Sequence, residues 1–219
     1  AINDVRISGH VETSEIDILG RLELDGWTSL VGFDADTART RIAAMPWVRS
    51  ASVRKIYPDA IEVEITEKKP FAIWQRGSGL TLIERDGAEI APYRSDRYAM
   101  LPLVVGAGAA ERAQAIVRKL AVHPALAARV KGYVRVADRR WDLRLANGVA
   151  VKLPENGEER ALAELAALEQ AYGLLERDIA AVDMRLEDRL VVKLTPEGVE
   201  RREAALSGRV KGKRKGRSI

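Results

Sequence analysis

The stretch VRKIYPDAIEVEITEKKPFAIW, residues 53–74, decides how the rest of the chain reads. Ile61, Val63 and Ile65 alternate strictly with Glu62, Glu64 and Thr66. A period of two is that of a strand with one buried face. A second strand-like run precedes it, and the two meet at a Pro58-Asp59 turn. A three-residue loop at 58–60 would set Val53 opposite Ile65 and Arg54 opposite Glu64. One face is then apolar and the other carries cross-strand ion pairs, each contributing roughly 0.2–1 kcal/mol. A two-residue loop would set Val53 against Glu64, so the first register is expected. The run stops at Lys68-Lys69-Pro70, and a new apolar run begins at once with Phe71. Proline cannot donate to a sheet ladder, so Pro70 marks the end of one sheet and the start of another. Either a catalytic site or a surface that holds other proteins would use two modules joined so closely.

Toward the N-terminus, Val5 and Ile7 alternate with Arg6 and Ser8 until Gly9, a short strand. Thr13 or Ser14 then caps a helix whose expected apolar stripe is Ile16, Leu19, Leu22 and Leu24. Asp34 or Asp36 caps a second helix with Ala38, Ile42 and Met45 on one face. Pro46 ends it, because the residue before a proline avoids the helical region. The order over residues 1–70 is strand, helix, helix, strand, strand.

Beyond Pro70 the chain reads as short strands and turns to Val105, including a turn at Arg85-Asp86-Gly87 and a strand at 101–105. A helix follows over 109–122 with Ala113, Ile116, Val117 and Leu120 inward. Residues 132–153 give three strands, with Asn147-Gly148 as a strong hairpin turn. The clearest helix spans 157–175, striped by Leu162, Leu165, Leu168, Tyr172 and Leu175. Residues 179–194 return to strand. The fold class is therefore α+β: a small first module, then a mixed β domain with two longer helices over 71–196.

Residues 197–219 lose the pattern, and their composition leads to the expectation of a disordered basic tail. Arg209, Lys211, Lys213, Arg214, Lys215 and Arg217 lie there without an acid. The whole chain carries a net charge of +4, but removing those six cations leaves 30 basic against 32 acidic residues, a net of −2. The folded part is not basic. The tail suits an anionic polymer or surface, or simply a solvated end. It lacks the aromatic residues that stack on bases, so nucleic acid is not expected as a partner.

The chain has no cysteine, which excludes disulfides, thiol catalysis and thiolate metal sites. It has no run of about 18 apolar residues, so none of it reads as a membrane span. It opens at Ala1 directly on strand-like residues, as expected if a signal peptide, anchor or tag preceded it.

Enzymatic readings are weak. Gly106-Ala107-Gly108 joins a strand to a helix as a dinucleotide loop would, but position 111 is Glu where a third glycine belongs. That carboxylate would repel a pyrophosphate. His10 and His123 lie too far apart in sequence to suggest a metal site. Glu62, Glu64 and Glu67 have the spacing of a solvated strand face. No catalytic residue, cofactor or metal ligand is assigned. Trp47 reads as core, and Trp74 and Trp141 as core or interface.

The unit from Val5 to Lys69 resembles the POTRA fold. Residues 45–74, together with ERDGAEIAP, LPLVVG and VDMRLEDRLVVKL, resemble the FtsQ/DivIB family of bacterial division proteins. The resemblance covers nearly all of residues 3–196. It implies a bitopic inner-membrane protein whose POTRA and β domains lie outside the cytoplasm, at the division septum. It implies a non-enzymatic scaffold that holds the FtsB–FtsL pair and links early to late division proteins. In the family, the last strand of the β domain accepts a strand from FtsB, and here that strand matches Arg185–Leu194. The implied partner-binding residues are Arg185, Leu186, Arg189, Leu190, Val191, Val192, Lys193 and Leu194. Leu186, Leu190, Val192 and Leu194 would share one face, and Arg189, Val191 and Lys193 the other. Aromatic residues flank this strand in some members; here leucines stand in their place. The rival readings are a POTRA-bearing transport or secretion component and an envelope enzyme.

Overall fold

The computed structural model describes residues 1–186 and 188–215. Its first module runs β1 (Asp4–Ser8), α1 (Glu15–Leu22), α2 (Ala35–Ala43), β2 (Val48–Ile56) and β3 (Ala60–Glu67). β1 pairs parallel to β3, and β2 pairs antiparallel to it, giving the order β1-β3-β2. Of the two caps expected for each helix, Ser14 and Asp34 are the ones used. The Ser14 side chain accepts the Asp17 N–H, and the Asp34 carboxylate accepts the Thr37 N–H at 3.1 Å.

Two expectations are corrected here. The buried stripe of α1 is Ile18 and Leu22, whereas Ile16 and Leu19 are exposed. The helix carries two apolar stripes, and contact with Ile42, Ile61 and Val63 selects the first. The hairpin register is also two residues away from the expected one. Arg54 faces Glu62, Val53 faces Val63, and residues 57–59 form the loop. A shift of two keeps every side chain on its face. Charge could not distinguish the registers, because Arg54 has glutamates at both positions: it lies 2.7 Å from Glu62 and 3.8 Å from Glu64. The turn is instead held by β1, where the Asn3 N–H donates to the Asp59 carbonyl at 2.8 Å.

The second module is one nine-stranded mixed sheet. Its strands are β4 (Ala72–Arg76), β5 (Gly79–Ile83), β6 (Glu89–Pro92), β7 (Leu103–Val105), β8 (Val130–Val136), β9 (Arg140–Leu145), β10 (Ala150–Lys152), β11 (Ile179–Asp183) and β12 (Val191–Leu194). Their order is β12-β11-β10-β9-β8-β7-β4-β5-β6. Parallel neighbours need a crossover. The helix α3 (Ala109–Ala121) supplies it between β7 and β8, with α4 (Pro124–Ala127) following, and α5 (Glu158–Tyr172) supplies it between β10 and β11. An ion pair of 2.5 Å between Lys119 and Glu158 ties α3 to α5, so both cover the same face. Beneath them lie Ile116, Leu120, Leu143, Leu162, Leu165 and Leu175, all essentially excluded from solvent. Each such side chain contributes about 1.5–3 kcal/mol.

The joint between the modules is short and well packed. The Lys68 N–H donates to the Trp47 carbonyl at 2.8 Å. Trp47 is not in the first module's core; its ring stacks on Tyr98 at 5.9 Å and packs beside Ile73, Leu82 and Ile90. Arg49 pairs with Glu84, and Arg97 with Glu12 at 2.5 Å. Burial, with the Glu12 carboxylate beside it, pushes the Tyr98 phenol up to about 12.

The expected disorder from residue 197 onward is corrected as well. A single helix, α6, spans Pro196–Lys215. Its start is marked locally: the Thr195 hydroxyl accepts the Gly198 N–H at 3.1 Å, and proline occupies the first helical position. Residues 216–219 of that expectation lie outside the described residues.

Candidate partner-binding edge

The final strand is built by neighbours from one side. β11 lies between β10 and β12, parallel to the first and antiparallel to the second. In the ladder, Asp183 faces Val191, Val182 faces Val192, Ala181 faces Lys193 and Ile179 faces Leu194. Val192 and Leu194, with Leu190 before them, pack on the core that contains Val182 and Ile179. Val191 and Lys193 point away and are exposed. This is the alternation expected for residues 190–194. Among the described residues no strand pairs with the other side of β12, so it ends the sheet. An edge strand leaves a row of N–H and C=O groups without ladder partners.

The expected strand from Arg185 is shortened. Only Val191–Leu194 is extended and paired; Arg185, Leu186, Arg189 and Leu190 precede the strand. Arg185 is engaged elsewhere. Its guanidinium grips Asp183 twice, at 2.8 and 2.6 Å, and holds that carboxyl below the ordinary carboxylate range. The Asp183 carboxylate also accepts the Arg185 backbone N–H at 3.2 Å, a local turn that leads the chain out of β11. Arg189 pairs with its neighbour Asp188 at 3.0 Å.

Leu186, Arg189 and Leu190 instead form one wall of a surface groove of about 550 Å³. Pro154, Arg160 and Met184 are among its other lining residues, so the groove lies between the start of α5 and the segment that leads into β12. Arg160 lies on α5, about 30 residues before β12, and Met184 directly precedes the expected strand; neither is among the expected site residues. At the C-terminal end of β12, Arg201 of α6 pairs with Asp178 at 2.8 Å. A Cβ at Gly198 would come within 2.5 Å of the Asp178 carbonyl, so α6 docks closely where β11 begins.

The features that suggested enzyme chemistry have structural explanations. The Gly106 carbonyl accepts the Trp74 indole N–H at 2.9 Å, and a Cβ at Gly106 would lie 2.7 Å from the Arg135 carbonyl. The glycine is required by close packing against β8. His123 stands at the N-cap position of α4, where its backbone carbonyl accepts the Leu126 and Ala127 N–H groups, and His10 lies 3.9 Å from Glu15. The Glu67 carboxylate accepts the backbone N–H groups of Val11, Glu12 and Thr13. Burial opposes its charge, but those three donors hold its carboxyl below the ordinary range.

Comparison with known proteins extends this description. The profile of the POTRA domain, FtsQ-type, matches residues 1–68, and that of Cell division protein FtsQ/DivIB, C-terminal, matches residues 72–185. The second match stops before β12 and α6. The chain is 56% identical over 205 residues to Cell division protein FtsQ of Rhizobium meliloti, covering 94% of this chain and 66% of that protein. It is 46% identical over 215 residues to the protein of the same name from Agrobacterium fabrum, covering 98% and 68%. For the one from Rhizobium radiobacter the identity is 46%, covering 94% and 98%. The chain thus spans about two thirds of the length of the first two relatives. Among solved structures, the major extracytoplasmic domain of DivIB from Geobacillus stearothermophilus aligns with 51% of this chain and 99% of its own at 14% identity and a TM-score of 0.34, too low to bear on the fold. The fold and the profiles define a POTRA module followed by a mixed β domain. The chain belongs to the FtsQ/DivIB family of cell division proteins.

Proposed function

We propose that this chain is a non-catalytic scaffold of the division machinery that captures the FtsB–FtsL pair by adding a strand to β12. One observation carries the reading: β12 is paired through β11 alone and terminates the nine-stranded sheet among the described residues. An incoming extended segment gains main-chain hydrogen bonds from such an edge, while side chains on either side select it. Val191 and Lys193 would contact the added strand's exposed face, and Leu186, Arg189 and Leu190 would contact whatever flanks it in the adjoining groove. In this reading a transmembrane helix ahead of Ala1 anchors the chain at the periplasmic face of the inner membrane, at the septum. The POTRA module serves recruitment, and the packed joint sets the position of the edge relative to it.

The test is calorimetric titration of the chain with a peptide of the FtsB C-terminal segment, repeated with Val192→Pro and Lys193→Pro. Successive N–H groups along a strand point to opposite sides, so one of the two prolines removes an outward donor. That variant should bind at least about tenfold more weakly, on the scale of one or two lost hydrogen bonds, with circular dichroism unchanged. Equal affinity for both variants and the parent chain would eliminate strand addition at β12.

A further inference from the structure

We propose that one end of the POTRA module, carrying Trp27, Val31 and Tyr57, rests in the headgroup interface of a lipid bilayer. The inference rests on the membrane-anchored reading above and concerns a different surface from the β12 edge. Trp27, Val31 and Tyr57 are 89%, 79% and 70% exposed, although all three are apolar or amphipathic. Three hydrogen bonds, two of them between backbone groups, bring their loops to one end. The Ile2 N–H donates to the Thr28 carbonyl at 3.1 Å, the Asn3 N–H to the Asp59 carbonyl at 2.8 Å, and the Lys55 ammonium to the Val31 carbonyl at 3.2 Å. The N-terminal residues run through the same end, so any chain preceding Ala1 departs from there.

Trp27 is held out by its loop. The Asp25 carboxylate accepts the Trp27 N–H at 3.0 Å and the Thr28 hydroxyl at 2.5 Å, and these bonds keep the Asp25 carboxyl below its ordinary range. Such a turn presents the indole with little further loss of backbone freedom. Tryptophan and tyrosine favour the membrane–water boundary, because an apolar ring body and a polar edge meet there. The same end carries Asp25, Asp34 and Asp59 beside Lys55, and Asp4 is paired with Arg6, so there is no cationic excess to attract anionic headgroups. The attraction would come from aromatic and apolar surface, and a zwitterionic bilayer is the matching partner.

The experiment tethers the full chain through an N-terminal histidine tag to vesicles of phosphatidylcholine with a nickel-chelating lipid. Half of the preparations contain phosphatidylcholine brominated high on the acyl chain. Because the tag supplies the anchor, the result does not depend on whether this protein has one, or on FtsB binding. The expected result is bromine quenching of tryptophan emission that disappears in Trp27→Phe, weakens in Val31→Asp, and is unchanged by phosphatidylglycerol or salt. Absence of quenching overturns the proposal. So does quenching that persists in Trp27→Phe, which would assign it to another indole. Quenching that appears only with phosphatidylglycerol and vanishes in high salt also overturns it, since that would be docking by the basic C-terminal segment. Trp27 is solvent-exposed, and circular dichroism of each variant checks that the fold is intact.

Discussion

The Glu67 carboxylate at the end of β3 accepts the Thr13 backbone N–H at 2.7 Å, across 54 positions of chain. With Val11 and Glu12 as further donors, it closes the loop that leads from β1 into α1. A strand-end glutamate that reads as part of a solvated face therefore satisfies backbone donors of a distant loop.

Glu67→Gln removes the charge from these hydrogen bonds and places an amide N–H among donors. Stability should fall by about 1–2 kcal/mol at neutral pH, as for charge-assisted bonds in a partly exposed site. The folded carboxyl titrates below its ordinary value, so its contribution is complete above the unfolded pKa and is lost as pH falls through the folded one. Denaturant melts of parent and variant at several pH values should show a constant difference above about pH 5 that shrinks in acid. A difference independent of pH would argue against the charge.

Gly9 and Gly198 separate two kinds of backbone packing. Gly9 has φ +84°, and a Cβ there would lie 1.9 Å from the Ile65 carbonyl oxygen, between β1 and β3. Gly9→Ala should cost more than about 2 kcal/mol, because both strain and a clash act inside the first sheet. Gly198→Ala meets Asp178 only at the docking of α6. It should speed hydrogen exchange across residues 196–206 and leave the melting of the β domain nearly unchanged.

The stack of Trp47 on Tyr98 joins the modules. A double-mutant cycle of Trp47→Ala and Tyr98→Ala should give a coupling of about 0.5–1.5 kcal/mol. The corresponding cycle for Glu12 and Arg97 should give about 1 kcal/mol or less, because the arginine side chain is mostly exposed and its attraction is screened. Salt should reduce the second coupling and spare the first.

Deleting residues 207–219 removes six cations and no acid. Affinity for an FtsB peptide should change little, since β12 and the groove precede the cut. Retention on an anionic polymer at low salt should drop sharply, and the difference should vanish as salt is raised. Loss of peptide affinity would extend the partner site into α6.

Local chemistry was legible in the sequence. Ser14 and Asp34 cap helices because a short polar side chain reaches an orphan N–H from any context. The alternation through Ile61, Val63 and Ile65 marked a strand and its buried face; of the stripe expected for α5, Leu162 and Leu165 are buried, whereas Tyr172 is exposed and Leu175 lies past the end of the helix. The family resemblance rested on residues spread over both modules, and the profiles match both. Thr195-Pro196 is an equally local signal for the start of α6, although the composition that follows is that of a disordered tail.

What tertiary structure alone decided concerns choices between locally equivalent answers. α1 has two apolar stripes, and only its neighbours bury Ile18 and leave Ile16 in water. Arg54 reaches both Glu62 and Glu64, so charge leaves the register open, and the whole β2–β3 ladder sets Glu62 opposite it. Arg185–Leu194 alternates like one strand, yet only Val191–Leu194 finds a ladder partner, in β11. Periodicity records which side chains share a face; only distant partners determine which face is covered and which edge is left without a neighbour.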